Sequence, residues 1–268
     1  MLQNSLEIHQ AVDTYLELGQ IAVRQDQPGK AIEIYTKGLM KFPNELSLLI
    51  SLGRIYDLIN DPLKSSDFYK RVLTIENCNV ESIASLASFH FYTDQPEIAL
   101  RFYRRLAQLG VNNAELWNNM GLCSYYSGQY DLTLSCFEKA LELVDDSNLA
   151  EVWYNISHVA IGIGDINLAY ESLKIAISID PNHAEAFNNL GVLELRGGNV
   201  EQAKANFSMS SRQGPFLFEP AYNNGLTSYR LGEYQDSYTY VQNALEIYPD
   251  HSDSQELSKL LRKLFARD

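Results

Sequence analysis

Cysteine is scarce in this 268-residue chain, which has only Cys78, Cys123 and Cys136. They are scattered and form no CxxC pair, which excludes a disulfide framework and a structural zinc site of the usual spacing. A reducing, intracellular setting is the expectation. Basic residues are outnumbered: 21 Lys and Arg against 34 Asp and Glu give a formal net charge of −13. A surface that neutralises phosphates needs clustered cations, so neither nucleic acid nor unassisted docking on anionic lipid is expected. No apolar run approaches the ~18 residues of a membrane span. The opening MLQNSLEIHQ lacks the basic-then-apolar layout of a secretory leader, and direct membrane insertion is not expected.

Catalytic signatures are missing as well. There is no GxSxG, no phosphate loop and no GxGxxG, and the histidines (His9, His90, His158, His183, His251) are dispersed, with no i, i+4 pair. No catalytic residue, metal or cofactor is expected, and the chain reads as a non-enzyme. His183 and His251 recur in the same kind of turn, PNH and PDH, where a polar residue is the usual occupant. Gly162, Gly164, Gly197 and Gly198 fall between helices, where glycine serves backbone geometry. Two glycosylation sequons, at Asn155 and Asn206, fall inside predicted helices and are set aside.

What is present is a hydrophobic content of 46% with 21% charge, suited to a folded domain, and a repeat. A small residue recurs at Gly19, Gly53, Ala87, Gly121, Ser157, Gly191 and Gly225, in steps of 34, 34, 34, 36, 34 and 34. Twelve positions later stand Ala31, Ser65, Ala99, Thr133, Ala169, Ala203 and Ser237. Sixteen later stand Tyr35, Tyr69, Tyr103, Phe137, Leu173, Phe207 and Val241. Pro43, Pro181, Pro215 and Pro249 close four units. This is the period of the tetratricopeptide repeat (TPR), a pair of antiparallel helices that buries its apolar face only by stacking. The expected fold is all-α: a right-handed superhelix of seven helix pairs, 12–45, 46–79, 80–113, 114–149, 150–183, 184–217 and 218–251, then a capping helix over 252–268. The cap has Ser252 or Asp253 as N-cap and Leu257, Leu260, Leu261, Leu264 and Phe265 on one face. Residues 1–11, with Leu2, Leu6 and Ile8, read as the tail of a preceding helix in a longer protein. Junctions lacking proline, after Val111 and around Asp145-Asp146, are expected to be the least regular.

In such a solenoid the first helix of each pair lines the inner surface. Counting the register residue as position 8, position 6 reads Glu17, Ser51, Ser85, Asn119, Asn155, Asn189, Asn223, and position 2 reads Asp13, Ser47, Glu81, Glu115, Glu151, Glu185, Glu219. The second half therefore carries a ladder of Asn119, Asn155, Asn189 and Asn223 bordered by Glu115, Glu151, Glu185 and Glu219. An asparagine amide offers donors and acceptors that match a peptide backbone, so the row suits an extended partner chain. The alternative is that these are common polar fillers, with glutamate near a helix start suiting the dipole. The acidic position 2 speaks against the carboxylate clamp of chaperone-binding repeats. Phe91, Tyr92, Tyr125, Tyr126 and Tyr229, at positions 12 and 13, serve either as groove contacts or as packing between repeats.

The segments WNNMGLCSYYSGQYDLTLSCFEKAL (117–141), EVWYNISHVAIGIGDINLA (151–169), HAEAFNNLGVLELRGGNVEQA (183–203) and the ending PDHSD…LLRKLF (249–265) resemble the Bardet–Biedl TPR subunit family, the tetratricopeptide repeat protein 8 family. The resemblance is closest from about Asn112 to Phe265. It implies a scaffold subunit of the BBSome, a coat-like complex that moves membrane proteins to and from cilia. It further implies other BBSome subunits as partners, including a small extended subunit in the groove, and a location in the cytoplasm and at the cilium, basal body and ciliary membrane. The alternatives are a generic TPR adaptor or intraflagellar-transport-like component, and, from another class, the TPR arm of a glycosyl transferase. A catalytic domain beyond the repeats would mark that last rival.

Overall fold

A computed structural model describes residues 2–266, and all regular structure among them is helical. The first unit, Met1–Cys136, holds α1 (Leu2–Arg24), α2 (Pro28–Lys41), α3 (Leu46–Leu58), α4 (Pro62–Ile75), α5 (Val80–Tyr92), α6 (Pro96–Gln108) and α7 (Ala114–Tyr126). The division at Cys136/Phe137 falls inside α8 (Tyr130–Leu143). The second unit, Phe137–Asp268, continues with α9 (Leu149–Ile163), α10 (Ile166–Ile179), α11 (Ala184–Arg196), α12 (Val200–Gln213), α13 (Glu219–Leu231), α14 (Tyr234–Ile247) and α15 (Ser252–Phe265). Among the described residues there are fifteen helices, in keeping with the expected all-α fold. The backbone runs unbroken from Leu2 into the first helix of repeat one, so residues 2–11 extend α1 and form no separate helix. Met1 and the side chains of Leu2, Leu6 and Ile8 lie outside what is described.

Short turns joining the helices explain why the chain breaks where it does. Every first-to-second-helix turn contains one residue with positive φ, seven positions after the register residue: Asp26, Asn60, Asp94, Gly128, Gly164, Gly198 and Gly232. Left-handed backbone there ends one helix and aims the next, and Asp, Asn and Gly tolerate it best. Pro28, Pro62 and Pro96 then start α2, α4 and α6, at a position where the missing N–H costs nothing. The proline-free closures are ordered by other means. Asn79 caps α5 by accepting from the Ser82 N–H at 3.0 Å, and Asn113 caps α7 by accepting from the Leu116 N–H at 2.9 Å. The Asp145 carboxylate accepts from Ser147 Oγ at 2.8 Å and from the Asn148 N–H at 3.2 Å, fixing the 144–148 loop.

The small register residues face the bulky residue sixteen places on. A Cβ at Gly53 would stand 2.8 Å from the Tyr69 ring, one at Gly191 2.6 Å from Phe207, and one at Gly225 2.7 Å from Val241. Core of the first unit includes Tyr35, Leu48, Leu52 and Val72, then Ile83, Leu100, Leu116 and Met120. In the second unit Leu173, Ala176, Leu190 and Leu193 pack together, and α15 lays Leu257 and Leu261 on Val241. The cap differs from expectation in two ways. Its N-cap is His251, whose Nδ1 accepts from the Ser254 N–H at 3.3 Å, because the turn already presents that ring one residue before Ser252. Its buried face is Ser254, Leu257, Ser258 and Leu261, while Leu260 is exposed. Of the position 12 and 13 aromatics, Phe91, Tyr125 and Tyr229 are partly buried, whereas Tyr92 and Tyr126 are exposed.

Candidate binding face

In the first unit, position 6 is coupled to the tyrosine of the preceding repeat. Ser51 lies beside the Tyr35 phenol, Ser85 beside Tyr69 and Asn119 beside Tyr103, while the Tyr35 hydroxyl donates to the Leu16 carbonyl at 3.4 Å and the Tyr69 hydroxyl to the Asp57 carboxylate at 3.3 Å. Burial raises the pKa of all three phenols, that of Tyr69 to about 12, and each position-6 partner opposes the shift. These tyrosines therefore stay protonated and act as neutral donors and acceptors. Asn118 Nδ2 reaches Asn119 Oδ1 at 3.4 Å, so the Asn119 amide is engaged on two sides. Glu115 is exposed one turn before it. Glu81 forms a two-point pair with Arg54, at 2.5 and 2.6 Å.

In the second unit position 24 carries Phe137, Leu173, Phe207 or Val241, none with a hydroxyl, and the asparagines find partners sideways instead. Asn223 Nδ2 donates to Asn188 Oδ1 at 2.9 Å. Asn188 Nδ2 reaches Asn189 Oδ1, and Asn189 Nδ2 reaches the Tyr154 hydroxyl, both at a long 3.5 Å. The row thus runs across α13, α11 and α9 as one polar chain. Asn155 is only 8% exposed, and its amide donates to Glu151 Oε1 at 3.3 Å. Asn189 and Asn223 are the more open rungs.

The glutamates meet a histidine that spacing alone did not connect to them. His183, the N-cap of α11, has Nε2 at 3.5 Å from Glu151 Oε2 and Nδ1 at 3.3 Å from Glu185 Oε2. Its ring lies against Tyr154, with centroids 4.7 Å apart. Burial alone would lower the pKa of His183, but contact with Glu151 and the charges of Glu151, Glu185 and Asp180 outweigh it and raise the value. The same contact with His183 lowers the pKa of Glu151. Glu219 is exposed at the start of α13. The face offers amides, one phenol and a line of carboxylates, which is hydrogen-bonding and electrostatic chemistry suited to recognition. Position 5, with Tyr154 and Asn188, is one of the inward-facing positions the register gives (2, 5, 6, 9, 12 and 13), but its partners are not legible there, because a residue's partner on the next repeat shows no local signal.

No group of three or more His, Cys, Asp or Glu among the described residues is placed to hold a metal ion. The Cys123 thiol is pushed up to about 12 by burial and is no thiolate nucleophile at neutral pH. No described helix is long and apolar enough to cross a membrane.

Tetratricopeptide-repeat models match residues 114–146 and 150–183. The human protein named tetratricopeptide repeat protein 8 is 48% identical over 265 residues, and those of Mus musculus and Caenorhabditis elegans are 45% and 36% identical. Each alignment covers 98% of this chain but 49%, 52% and 52% of the relatives, so the chain spans about half the length of the curated relatives it matches. Among solved structures, a tetratricopeptide repeat protein from Parabacteroides merdae superposes with a TM-score of 0.79 at 18% identity, covering 94% of this chain and 99% of that one. The APC/C hetero-tetramer Cut9–Hcn1 gives 0.68 at 13% identity, covering 88% of this chain and 46% of that one. At those identities the likeness concerns fold. The stacked 34-residue pairs, the repeat models on two of them and the alignments running nearly end to end lead to one conclusion: the chain belongs to the tetratricopeptide-repeat family and is a homologue of the tetratricopeptide repeat protein 8 proteins.

Proposed function

We propose that this chain is a protein-binding scaffold of the BBSome coat, working in the cytoplasm and at the basal body and ciliary membrane, and that the row on α9, α11 and α13 holds a small, extended subunit. The observation that carries this reading is the lateral chain Asn223–Asn188–Asn189–Tyr154. It fixes the amides in place while leaving further N–H and C=O capacity on each, so little ordering entropy is lost on binding. Glu151, Glu185 and Glu219 favour a partner rich in Lys and Arg and speed its encounter. One fold neighbour is a chain of the APC/C hetero-tetramer Cut9–Hcn1, an instance of this architecture in a protein assembly.

The test is the affinity of Asn189→Ala with Asn223→Ala for the small extended subunit. Each direct hydrogen bond contributes about 0.5–1.5 kcal/mol, so the pair is expected to weaken binding by about tenfold with an unchanged helical circular dichroism spectrum. Unaltered affinity with intact helicity sinks the groove reading. A pull-down from ciliated cells separates the coat subunit from a general TPR adaptor: recovery of the other coat subunits is expected for the former alone.

A further inference from the structure

A recess of about 240 Å³ opens in the first unit between α3, α4 and α5, with the position-6 residue Ser85 in its lining. That is smaller than a drug-sized pocket of ~300–1,000 Å³ and suits a single side chain. Three features of its lining point to one ligand chemistry. The Asp57 carboxylate is exposed at its edge, accepts from the Tyr69 hydroxyl at 3.3 Å, and has no cationic partner among the described residues. Ser65, only 2% exposed, lines the recess, and its hydroxyl has no hydrogen-bond partner among the described residues. The equivalent hydroxyl of repeat seven, Ser237, donates to the Gly225 carbonyl at 2.7 Å, a bond that Ser65 does not make. Ser88 lines the same space and is also without a partner. Tyr92, 83% exposed, forms the rim with its ring open to solvent.

We propose that this recess is a binding site for a lysine side chain presented by a protein partner. An ammonium has three N–H donors and no acceptor. Here it meets the Asp57 carboxylate and the free lone pairs of Ser65 and Ser88, with its methylene stem and charge against Tyr92. A planar guanidinium asks for coplanar acceptors, which scattered hydroxyls on two helices do not supply. The formal charge of −13 favours approach of such a group.

The probe is the tripeptide acetyl-Gly-Lys-Gly-amide, titrated into the 268-residue chain and followed by amide chemical shifts. Saturable shifts are expected at Asp57, Ser65, Ser85, Ser88 and Tyr92. They are expected to vanish with the Nε-acetyl-lysine peptide and to need at least about tenfold more peptide in Asp57→Asn, an exposed change that leaves the fold intact. Tyr92→Ala is expected to weaken binding as well, and Glu142→Gln, an exposed change on the other unit, to leave it unchanged. The proposal is overturned by absent or non-saturating shifts, by equal binding of the acetylated or the arginine peptide, or by indifference to Asp57→Asn.

Discussion

Replacing Gly191 by serine tests whether the register position is a true close contact. A Cβ there would stand 2.6 Å from Phe207 Cε1, 2.7 Å from Cδ1 and 3.2 Å from the Ala203 carbonyl oxygen. Carbon atoms prefer about 3.5–4.0 Å, so the ring must retreat by about 1 Å while the carbonyl blocks the opposite escape. Overpacking of this kind costs ~1–3 kcal/mol, and removing a helical glycine returns roughly 0.5 kcal/mol. The net expectation is a loss of about 1–2 kcal/mol. Repeat five supplies the natural remedy, since Ser157 there faces Leu173, both fully buried, and the serine hydroxyl donates to the Tyr154 carbonyl at 2.6 Å. Phe207→Leu alone should cost about 1–2 kcal/mol, well under the ~3–5 of truncation to alanine. The double variant Gly191→Ser, Phe207→Leu recreates the repeat-five pair and should lose less than the sum of the two, with a coupling of about 0.5–3 kcal/mol. Urea unfolding by circular dichroism reads this, with slopes compared because repeat arrays can depart from two-state behaviour. Strict additivity, or a Gly191→Ser curve that overlays the parent, refutes the close contact.

Gly198→Ala isolates backbone strain, because a Cβ at that glycine meets nothing within 4 Å while its φ is +85°; a loss of ~1–2 kcal/mol is expected in the same unfolding assay, and no loss would deny the left-handed turn. His183 gives a pH test. Its folded pKa lies above the ordinary value, so its contribution to stability is complete below about pH 6.5 and lost as pH rises through the folded pKa. Unfolding midpoints of the parent should fall relative to those of His183→Gln across that interval; parallel profiles would show that the glutamates do not hold the imidazolium.

The helix pairs were legible because stacking imposes a fixed period on small and large residues, and Gly191 with Phe207 shows that the period encodes direct contact. The N-cap of α15 was misplaced because Ser252 and Asp253 are the common capping types, whereas the turn geometry hands the role to His251. The asparagine and glutamate positions could be counted from the register, but their partners could not. Asn223 meets Asn188 thirty-five residues away, and His183 bridges two glutamates only because α9 and α11 lie side by side. The lysine recess left no motif at all, since its argument rests on a hydroxyl that lacks the bond its counterpart Ser237 makes.

The tyrosine hydroxyls of the first unit decide which repeat can follow which. Each joint there pairs a phenol on one repeat with a position-6 side chain on the next: Tyr35 with Ser51, Tyr69 with Ser85, Tyr103 with Asn119. Excising residues 46–79 in register would bring Tyr35 to Ser85, and excising 80–113 would bring Tyr69 to Asn119, so every phenol keeps an answering group. Splicing residues 184–217 ahead of the second repeat would instead set Phe207 opposite Ser51 and leave that hydroxyl only its bond to the Ser47 carbonyl. The joints are directional, phenol first and small polar side chain second, and such an array can be shortened or lengthened by whole repeats only where that order is kept.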